Sequence, residues 1–304
     1  MKGTVIKSTG SWYEVLIEDE QIIQCRIKGK LRLEGVRETN PVAVGDYVAY
    51  ELEDVNGVIS EILPRKNHLL RQAVKKSGHS HILAANIDQA LLIVTLKQPR
   101  TSLGFIDRFL ISAEAFRIQQ LIVFNKSDLL SEEELTEQSE LQRMYNSLGI
   151  HSISISAINE EMDELRKLLE NKITLMAGHS GVGKSTILNK LAPEFQQSTQ
   201  AISNFSQKGT HTTTFAEMFR LDKSSFLIDT PGVKEWGLVD MEQQEISDYF
   251  IEMRELRLSC RFGSKCLHLQ EPGCAIQKGI LERKISEGRY HSYRSMVLGE
   301  DNRK

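Results

Sequence analysis

The sequence predicts a multidomain protein with three parts: an N-terminal β-barrel, a central α/β domain and a C-terminal, mostly α, metal-binding domain. Three patterns carry this prediction. Short alternating strands fill residues 1–66, strands then alternate with helices over residues 67–238, and cysteines gather within residues 239–304. A chain of 304 residues has room for two or three such units, since domains commonly run to about 100–200 residues.

Composition and charge narrow the class of protein. The formal net charge is −3, so contact with nucleic acid has to come from local basic patches. No apolar run approaches the roughly 20 residues of a membrane span, and residues 1–4 lead into a strand-like pattern without a signal-peptide core. We therefore expect a cytoplasmic protein that does not contact a membrane.

The N-terminal part reads as five short strands separated by turns. Apolar and polar residues alternate over residues 5–6, 12–17, 22–27, 47–52 and 58–63. Five strands in so short a segment are typical of a small barrel, an OB-fold. The loop after the third strand is basic, which suits either RNA contact or a solvated loop. Its charged residues are Arg26, Lys28, Lys30, Arg32, Glu34, Arg37 and Glu38.

Strands and helices alternate from about residue 86, which is typical of a parallel sheet with crossover helices. Strands are predicted over residues 89–96, 121–124, 151–155 and 173–177, with paired strands at 215–221 and 225–228. Helices are predicted over residues 105–116 and 161–170, and from positions 131 and 184. Ser131 and Glu134 form a capping box that marks the start of one of them.

The predicted strand at residues 173–177 runs into a glycine-rich loop and a helix. Residues 178–185 read G-H-S-G-V-G-K-S, which satisfies G-x-x-x-x-G-K-[ST] in the required setting. The glycines let backbone N–H groups wrap around phosphate. Lys184 would reach the β and γ phosphates, and the Ser185 hydroxyl would bind Mg²⁺. The alternative is an ordinary glycine-rich turn. The other predicted nucleotide contacts here are Gly178, Ser180, Gly181, Val182, Gly183 and Thr186.

Two later segments fit the same phosphate site. The predicted strand at residues 225–228 ends in D-T-P-G, where Asp229 would hold Mg²⁺ and the Gly232 N–H would sense the γ-phosphate. The polar residues 209–214 stand where a switch loop belongs. One of their threonines would complete the Mg²⁺ shell, with Thr213 the first candidate and its neighbours the next. These threonines also suit the start of a β-strand, which their β-branching favours.

The tetrad N-K-S-D at residues 125–128 follows another predicted strand. Asp128 would accept hydrogen bonds from guanine N1–H and N2–H₂, Asn125 would hold the adjoining edge, and the Lys126 stem would lie over the ring. A site whose carboxylate is left unpaired by adenine rejects that base. Taken alone, N-K-x-D also fits a plain turn.

The order of these motifs is unusual. Ser156 and Ala157 follow the predicted strand at residues 151–155 and would bring the Ala157 N–H to guanine O6. Both base motifs precede the phosphate loop, whereas GTPases usually begin with it. The sequence therefore predicts a circularly permuted P-loop GTPase domain, which the nearby termini of compact domains make feasible. After Gly232 the chain leaves directly for the C-terminal domain, so nucleotide state could move that tether.

Four potential metal ligands lie close together near the C-terminus, in the pattern C-x5-C-x-H-x5-C. They are Cys260, Cys266, His268 and Cys274. Three thiolates and an imidazole make a closed tetrahedral zinc set, which is structural because no position is left for water. The metal would hold a small segment together. The alternative is ordinary buried cysteines, as we expect for Cys25.

Basic residues surround this cluster, and two tyrosines join them on the predicted C-terminal helix. They would contact RNA phosphates and stack on bases, or they belong to a solvated helix. The set comprises Arg254, Arg257, Arg261, Lys265, Lys278, Arg283, Lys284, Arg289, Arg294, Tyr290 and Tyr293.

Together, the barrel, the permuted motifs and the Cys/His module resemble the RsgA family (also called YjeQ or YloQ), bacterial GTPases that depend on the small ribosomal subunit. The resemblance covers nearly the whole chain and rests on residues 125–128, 178–185, 209–214, 229–232 and the cysteine cluster. It implies GTP hydrolysis coupled to late maturation of that subunit, with GTP state controlling release. It also implies that the OB and zinc domains touch ribosomal RNA.

Hydrolysis needs a residue that orients water. Val233 stands where Ras-like enzymes place a glutamine, and an apolar side chain cannot do that work. We predict that His211 replaces it, because an imidazole donates or accepts a hydrogen bond near neutral pH and the resemblance implies a histidine in this G-x-H-T-T context. His179 is the rival candidate, and His211 could instead only shape the switch.

Two other functional classes remain open on sequence alone. Val233 leaves room for a nonenzymatic RNA-binding scaffold with a regulatory GTP site, which would bind GTP without hydrolysis even beside its RNA partner. A GTPase serving membrane or protein partners fits the core motifs but leaves the barrel and metal module without a role. Our main interpretation is a monomeric, Mg²⁺-dependent GTPase with one structural Zn²⁺ that acts on the small ribosomal subunit.

Overall fold

The structure is a computed structural model that describes residues 1–18, 20–28, 41–72, 80–193, 216–230, 236, 238 and 241–300. Several predicted residues lie outside these ranges: Lys30, Arg32, Arg37, His211, Thr213, Gly232 and Val233.

The N-terminal part is a closed five-stranded barrel, as predicted. Its strands run in the order β1-β2-β3-β5-β4, and β1 also pairs with β4 to close the barrel. Buried side chains from alternating positions, Cys25 among them, fill its interior. The strands are β1 (Lys2–Ser8), β2 (Tyr13–Leu16), β3 (Ile22–Ile27), β4 (Tyr47–Glu53) and β5 (Asn56–Ile62).

A hairpin that the sequence analysis missed connects the barrel to the central domain. It consists of β6 (His68–Gln72) and β7 (Ser80–Ala85). The Gly45 backbone lies so close to this hairpin that a Cβ there would stand 2.1 Å from the Ala85 carbonyl oxygen. The barrel therefore packs directly on the hairpin.

The central sheet has the order β10-β9-β8-β11-β13-β12, with the first five strands parallel and β12 antiparallel to β13. Every residue of β8 is buried, as expected for a parallel strand covered on both faces. The strands are β8 (Gln89–Val94), β9 (Gln119–Phe124), β10 (His151–Ser154), β11 (Ile173–Ala177), β12 (Glu217–Arg220) and β13 (Phe226–Asp229).

Four helices supply the buried side chains on the two faces of this sheet. Apolar residues of α1 and α2 pack in one buried cluster, and those of α3 and α4 pack in another. The predicted capping box at Ser131 and Glu134 is present. The helices are α1 (Leu103–Ala115), α2 (Glu132–Ser147), α3 (Asp163–Leu169) and α4 (Lys184–Leu191).

The C-terminal part contains short helices that pack against α1. Ile111 of α1 belongs to the same buried cluster as Phe250, Tyr293 and the three clustered cysteines. Two 3₁₀ turns, Leu256–Ser259 and Gly263–Lys265, flank the first cysteine. The helices are α5 (Ile246–Tyr249), α6 (Ile251–Arg254), α7 (Ala275–Leu281) and α8 (Glu287–Val297).

Across the described ranges, no helix has both the length and the apolar character required to span a membrane.

Candidate functional site

The predicted nucleotide-binding residues that fall within the described ranges meet at one edge of the central sheet. Asn125 follows β9, Ser156 follows β10, Gly178 follows β11, and Asp229 ends β13. These strands are parallel and in register, with Phe124 opposite Ser154 and Met176 opposite Asp229. Ligands of open parallel sheets bind outside the carboxyl ends of the strands. The order of the motifs along the chain therefore does not prevent them from forming one site.

The loop between β11 and α4 folds around its own lysine. Gly178, Gly181 and Gly183 all have positive φ, between 86° and 154°, a region that suits glycine. The Lys184 ammonium donates to the carbonyl oxygens of Gly178 and His179 at 2.8 and 2.9 Å. Burial lowers the pKa of Lys184, and the Asp229 carboxylate opposes that shift. The side chains of Ser180, Ser185 and Thr186 are exposed on this loop and the first turn of α4.

Asn125 fastens the two base motifs to the phosphate loop. Its amide nitrogen donates to the Val182 carbonyl at 2.8 Å, and its amide oxygen accepts from the Ala157 N–H at 3.0 Å. The side chain is almost fully buried. A Cβ at Gly183 would stand 2.2 Å from the Asn125 nitrogen. The predicted donor to a base carbonyl, the Ala157 N–H, is thus turned toward Asn125 in this structure.

Lys126 and Asp128 complete the tetrad in different ways. The Lys126 ammonium donates to the carbonyls of Gln98 and Gly181 at 2.5 and 2.7 Å, so its stem crosses between the loop after β8 and the phosphate loop. The Asp128 side chain is exposed. One of its oxygens accepts a hydrogen bond from the Ser156 hydroxyl at 2.6 Å.

Asp229 lies at the inner end of the same edge. Its side chain is buried, and its charge acts on Lys184. The next residue, Thr230, donates its hydroxyl proton to the Met176 carbonyl at 2.9 Å and so ties the end of β13 to β11.

The structure adds a contact that the sequence did not signal. The His179 ring packs on Phe105 of α1, with ring centroids 3.8 Å apart. Further along α1, Phe109 meets the buried Trp236 edge to face at 4.9 Å. A lone tryptophan shortly after D-T-P-G was the available hint for the second contact. Nothing in the sequence marks the first, because Phe105 and His179 are distant along the chain.

Cys260, Cys266, His268 and Cys274 come together as predicted. All four side chains are buried, and their ligand atoms lie within 4.8 Å of one another. Burial, together with the charge of Arg257, lowers the pKa of His268 to about 4, so its imidazole is neutral at pH 7. Burial raises the pKa of the Cys266 thiol to about 12. This set has the composition and compactness of a metal site.

The backbone around His268 is held by side chains from two helices. His268 has a φ of 56°, an unusual value for a residue with a side chain. Its carbonyl accepts from Gln277 at 2.7 Å and from the Tyr290 hydroxyl at 2.9 Å. Its Nε2 lies 3.3 Å from the Ser247 hydroxyl, while Nδ1 faces the thiols. The ring is therefore held with Nδ1 directed at the ligand cluster.

One expectation about this region was wrong for two residues. We expected Arg289 and Tyr293 among the side chains that contact RNA or solvent, but both are fully buried. The Arg289 guanidinium contacts Asp107 of α1 at 2.5 Å and Glu252 at 2.7 and 3.0 Å. Its charge is paired inside the protein, so Arg289 joins the C-terminal part to α1.

Comparisons with known proteins agree with this geometry. The sequence profile described as RsgA GTPase matches residues 62–239, and the one described as RsgA N-terminal domain matches residues 2–59. The chain belongs to the RsgA GTPase family. Membership makes it a GTP hydrolase and accounts for the permuted order of its motifs.

Relatives of this family match over the full length. A protein of Bacteroides fragilis named "Small ribosomal subunit biogenesis GTPase RsgA" is 49% identical, over 100% of this chain and 98% of that protein. One of Flavobacterium johnsoniae with the same name is 46% identical, over 99% and 94%.

Two solved structures share the complete architecture. YjeQ from Thermotoga maritima has a TM-score of 0.78 and 33% identity, covering 100% of this chain and 99% of its own. YloQ, described as a circularly permuted GTPase, has a TM-score of 0.74 and 30% identity, covering 100% and 96%.

Proposed function

We propose that this protein is a Mg²⁺-dependent GTPase that binds the small ribosomal subunit through ribosomal RNA late in the assembly of that subunit. The bound nucleotide, GTP or GDP, controls release of the protein from the subunit. The observation that carries the proposal is the bridge made by Asn125, which holds the base motifs and the phosphate loop as one pocket. The names of the full-length relatives support the partner.

In this proposal the nucleotide lies along the sheet edge from the tetrad to α4. Asp128 accepts from the guanine donors, the Lys126 stem covers the ring, and the Ser156-Ala157 turn closes the base side. Lys184 exchanges its loop carbonyl partners for phosphate oxygens when GTP binds, because a buried ammonium gains more from an anion than from two carbonyls. The phosphate contacts are Gly178, Ser180, Gly181, Val182, Gly183, Lys184, Ser185, Thr186, Asp229 and Gly232.

The donor set at the phosphate end fits Mg²⁺. The cation would be held by the Ser185 hydroxyl, by Asp229 and by Thr213, all oxygen ligands of the kind it prefers. Ser185 is exposed at the start of α4, and Asp229 lies at the adjoining strand end. When bound, Mg²⁺ neutralises charge on the phosphates.

We assign the orientation of water to His211. The packing of the His179 ring on Phe105 supports this choice. This contact gives the rival candidate, His179, a structural role in the phosphate loop. A slow basal rate is expected when no glutamine follows D-x-x-G. Binding to the ribosomal partner would then order the switches and accelerate turnover.

The Cys/His cluster fits one structural Zn²⁺. A tetrahedron with Zn–S of about 2.3 Å and Zn–N of about 2.0–2.1 Å places two sulfurs about 3.8 Å apart and sulfur and nitrogen about 3.5 Å apart. The Cys260 and Cys274 sulfurs are 3.9 Å apart, and each lies 3.4 Å from His268 Nδ1. Within this proposal the domains are the OB-fold (1–66), the GTPase domain (67–238) and the zinc-binding domain (239–304).

The OB-fold and the zinc domain are the proposed RNA-binding surfaces of a cytoplasmic monomer. Arg261, Lys265 and Lys278 of the zinc domain are exposed, as is Arg26 of the barrel. Cationic side chains of this kind contact phosphates. Arg26 and Lys278 also form surface ion pairs with Glu53 and Glu282, which are weak enough to be exchanged for phosphate.

Co-sedimentation with purified small ribosomal subunits tests the proposal. The protein is expected to sediment with the subunit in the presence of a nonhydrolysable GTP analogue and to stay in solution with GDP. The large ribosomal subunit serves as the matched control. Equal sedimentation in both nucleotide states, or none in either, would contradict the proposal.

A further inference from the structure

A single carboxylate closes the turn that follows β10. The Ser156 N–H donates to the Glu160 carboxylate at 2.9 Å, and the Glu160 N–H donates back to the Ser156 carbonyl at 2.9 Å. Glu160 is exposed and Ser156 is buried, so the carboxylate reaches in from the surface. The two residues fix the start and the end of the turn to each other.

The closed turn also restrains Asp128, the carboxylate proposed to bind guanine. Ser156, held through its backbone by Glu160, donates its hydroxyl proton to Asp128 Oδ1 at 2.6 Å. The backbones on the two sides are also joined, since the Ser127 N–H donates to the Ile155 carbonyl at 3.2 Å. Asp128 is exposed, and the contact from Ser156 restricts the rotation of its carboxylate.

The turn is also fastened to the helix that begins at the phosphate loop. The Lys190 ammonium, in the last turn of α4, donates to the carbonyls of Ile158 and Glu160 at 3.2 and 2.9 Å. The guanidinium of Arg166 donates to the carbonyls of Lys190 and Leu191 at 2.5 and 2.9 Å and so caps the end of α4. The base side of the pocket is therefore also linked to the far end of α4, in addition to the contacts that Asn125 and Lys126 make with the phosphate loop.

We propose that Glu160 is a positioning residue for guanine recognition: by holding Ser156, it keeps the Asp128 carboxylate directed at the N1–H and N2–H₂ edge of the base. This inference rests on the guanine site of the proposed function. The expected effect is on recognition of the guanine 2-amino group. A carboxylate that rotates freely can still accept a hydrogen bond from one donor, but it aligns poorly with two donors at once.

Equilibrium binding of GDP, IDP and ADP to the full-length protein tests this role. IDP lacks the 2-amino group and ADP lacks both donors. The wild type should bind GDP more tightly than IDP, and IDP more tightly than ADP. In Glu160→Ala the preference for GDP over IDP should fall about threefold to tenfold, the range expected for one hydrogen bond.

Three further variants test whether the hydrogen bond between Glu160 and the Ser156 N–H, rather than the loss of a surface charge, causes the effect. Glu160→Asp keeps the charge with a shorter side chain and should lose the preference like Glu160→Ala. Glu160→Gln keeps an oxygen that accepts from the Ser156 N–H and should retain most of it. Glu161→Ala removes a neighbouring exposed carboxylate and should bind all three nucleotides like the wild type. Thermal unfolding without nucleotide checks that each variant is folded.

The outcomes distinguish the inference from the function on which it rests. An unchanged GDP-to-IDP ratio in Glu160→Ala and Glu160→Asp would overturn the positioning role, as would an equal loss of affinity for GDP and IDP. A wild type that binds ADP as tightly as GDP would instead contradict the guanine site itself.

Discussion

The nucleotide pocket and the Cys/His module are held together by different means. The pocket collects short loops at the ends of parallel strands, and backbone and side-chain hydrogen bonds lock those loops to each other. The module has short helices, an apolar cluster that includes its own cysteines, and a buried arginine that contacts α1. The geometry of the pocket is set by a large sheet with helices on both faces, whereas the module depends on a few strong local interactions.

This difference indicates that the pocket should stay folded after the loss of a single interaction, whereas the module should not. A sheet with both faces covered distributes its stability over many contacts. A module built from short helices around four potential metal ligands depends more on a bound metal and on its buried charge network.

Removal of the proposed Zn²⁺ should unfold the Cys/His module and leave the nucleotide pocket folded. Structural zinc contributes about 10–16 kcal/mol of apparent binding free energy in small zinc modules, so a strong chelator should unfold the segment around α7 and α8. GDP binding should persist, because no contact of the pocket described above involves that segment. Hydrogen exchange and fluorescent GDP titration measure both properties in one sample.

Cys266→Ser should reproduce the effect of the chelator, and Cys25→Ser should not, since Cys25 lies in the barrel core. Loss of GDP binding in parallel with the metal would show that the two regions are not held separately.

Replacement of Arg289 should have the next largest effect. Arg289→Met leaves Asp107 and Glu252 buried without their cation, which costs about 3–5 kcal/mol in comparable networks. Chemical denaturation should report this loss. Adding Glu252→Gln to the variant should restore part of it, because one unpaired charge is then removed.

The Arg289→Met deficit should also depend on pH. Burial raises the pKa of Asp107, and Arg289 opposes that rise. Without Arg289 the folded-state pKa of Asp107 moves further above its unfolded value. The folded state then binds more protons than the unfolded state between these two values, so stability falls as pH rises through that window. A deficit that stays constant from acid to neutral pH would contradict this explanation.

A glycine substitution in the phosphate loop should have the smallest effect on stability but should abolish nucleotide binding. Gly183 has a φ of 101°, and a Cβ there would collide with Asn125. Gly149 has a φ of 78°, and a Cβ there would meet no other atom within 4 Å, so Gly149→Ala is the matched control. Both substitutions should cost about 1–2 kcal/mol in backbone strain. Only Gly183→Ala should fail to bind GDP in the titration. Normal GDP binding by Gly183→Ala would show that the Asn125 bridge is not required for nucleotide binding.

The sequence predicted the barrel, the parallel sheet and the cysteine cluster because each depends on short-range patterns. Strand ends could be located from apolar runs, and motifs at strand ends must share an edge of the sheet. The four potential metal ligands lie within fifteen residues, so their spacing alone indicated that they lie close together.

Most of the contacts that the sequence did not reveal join residues distant along the chain. Arg289 was expected to contact either RNA or solvent because it lies on a helix with several basic residues, yet its partner Asp107 is 182 positions away. The direction of the Ala157 N–H depends on Asn125, which is 32 positions away. The β6–β7 hairpin, by contrast, joins neighbouring segments, and Ser77-Gly78 between them was a turn signal that the strand prediction did not use.

The most direct test of the account is the initial rate of GTP hydrolysis with and without purified small ribosomal subunits. We expect slow basal turnover, strong stimulation by the subunit, and in His211→Ala near-normal GTP binding with the stimulation lost. GTP binding without stimulated turnover in the wild type would contradict the account and would favour an RNA-binding scaffold with a regulatory GTP site.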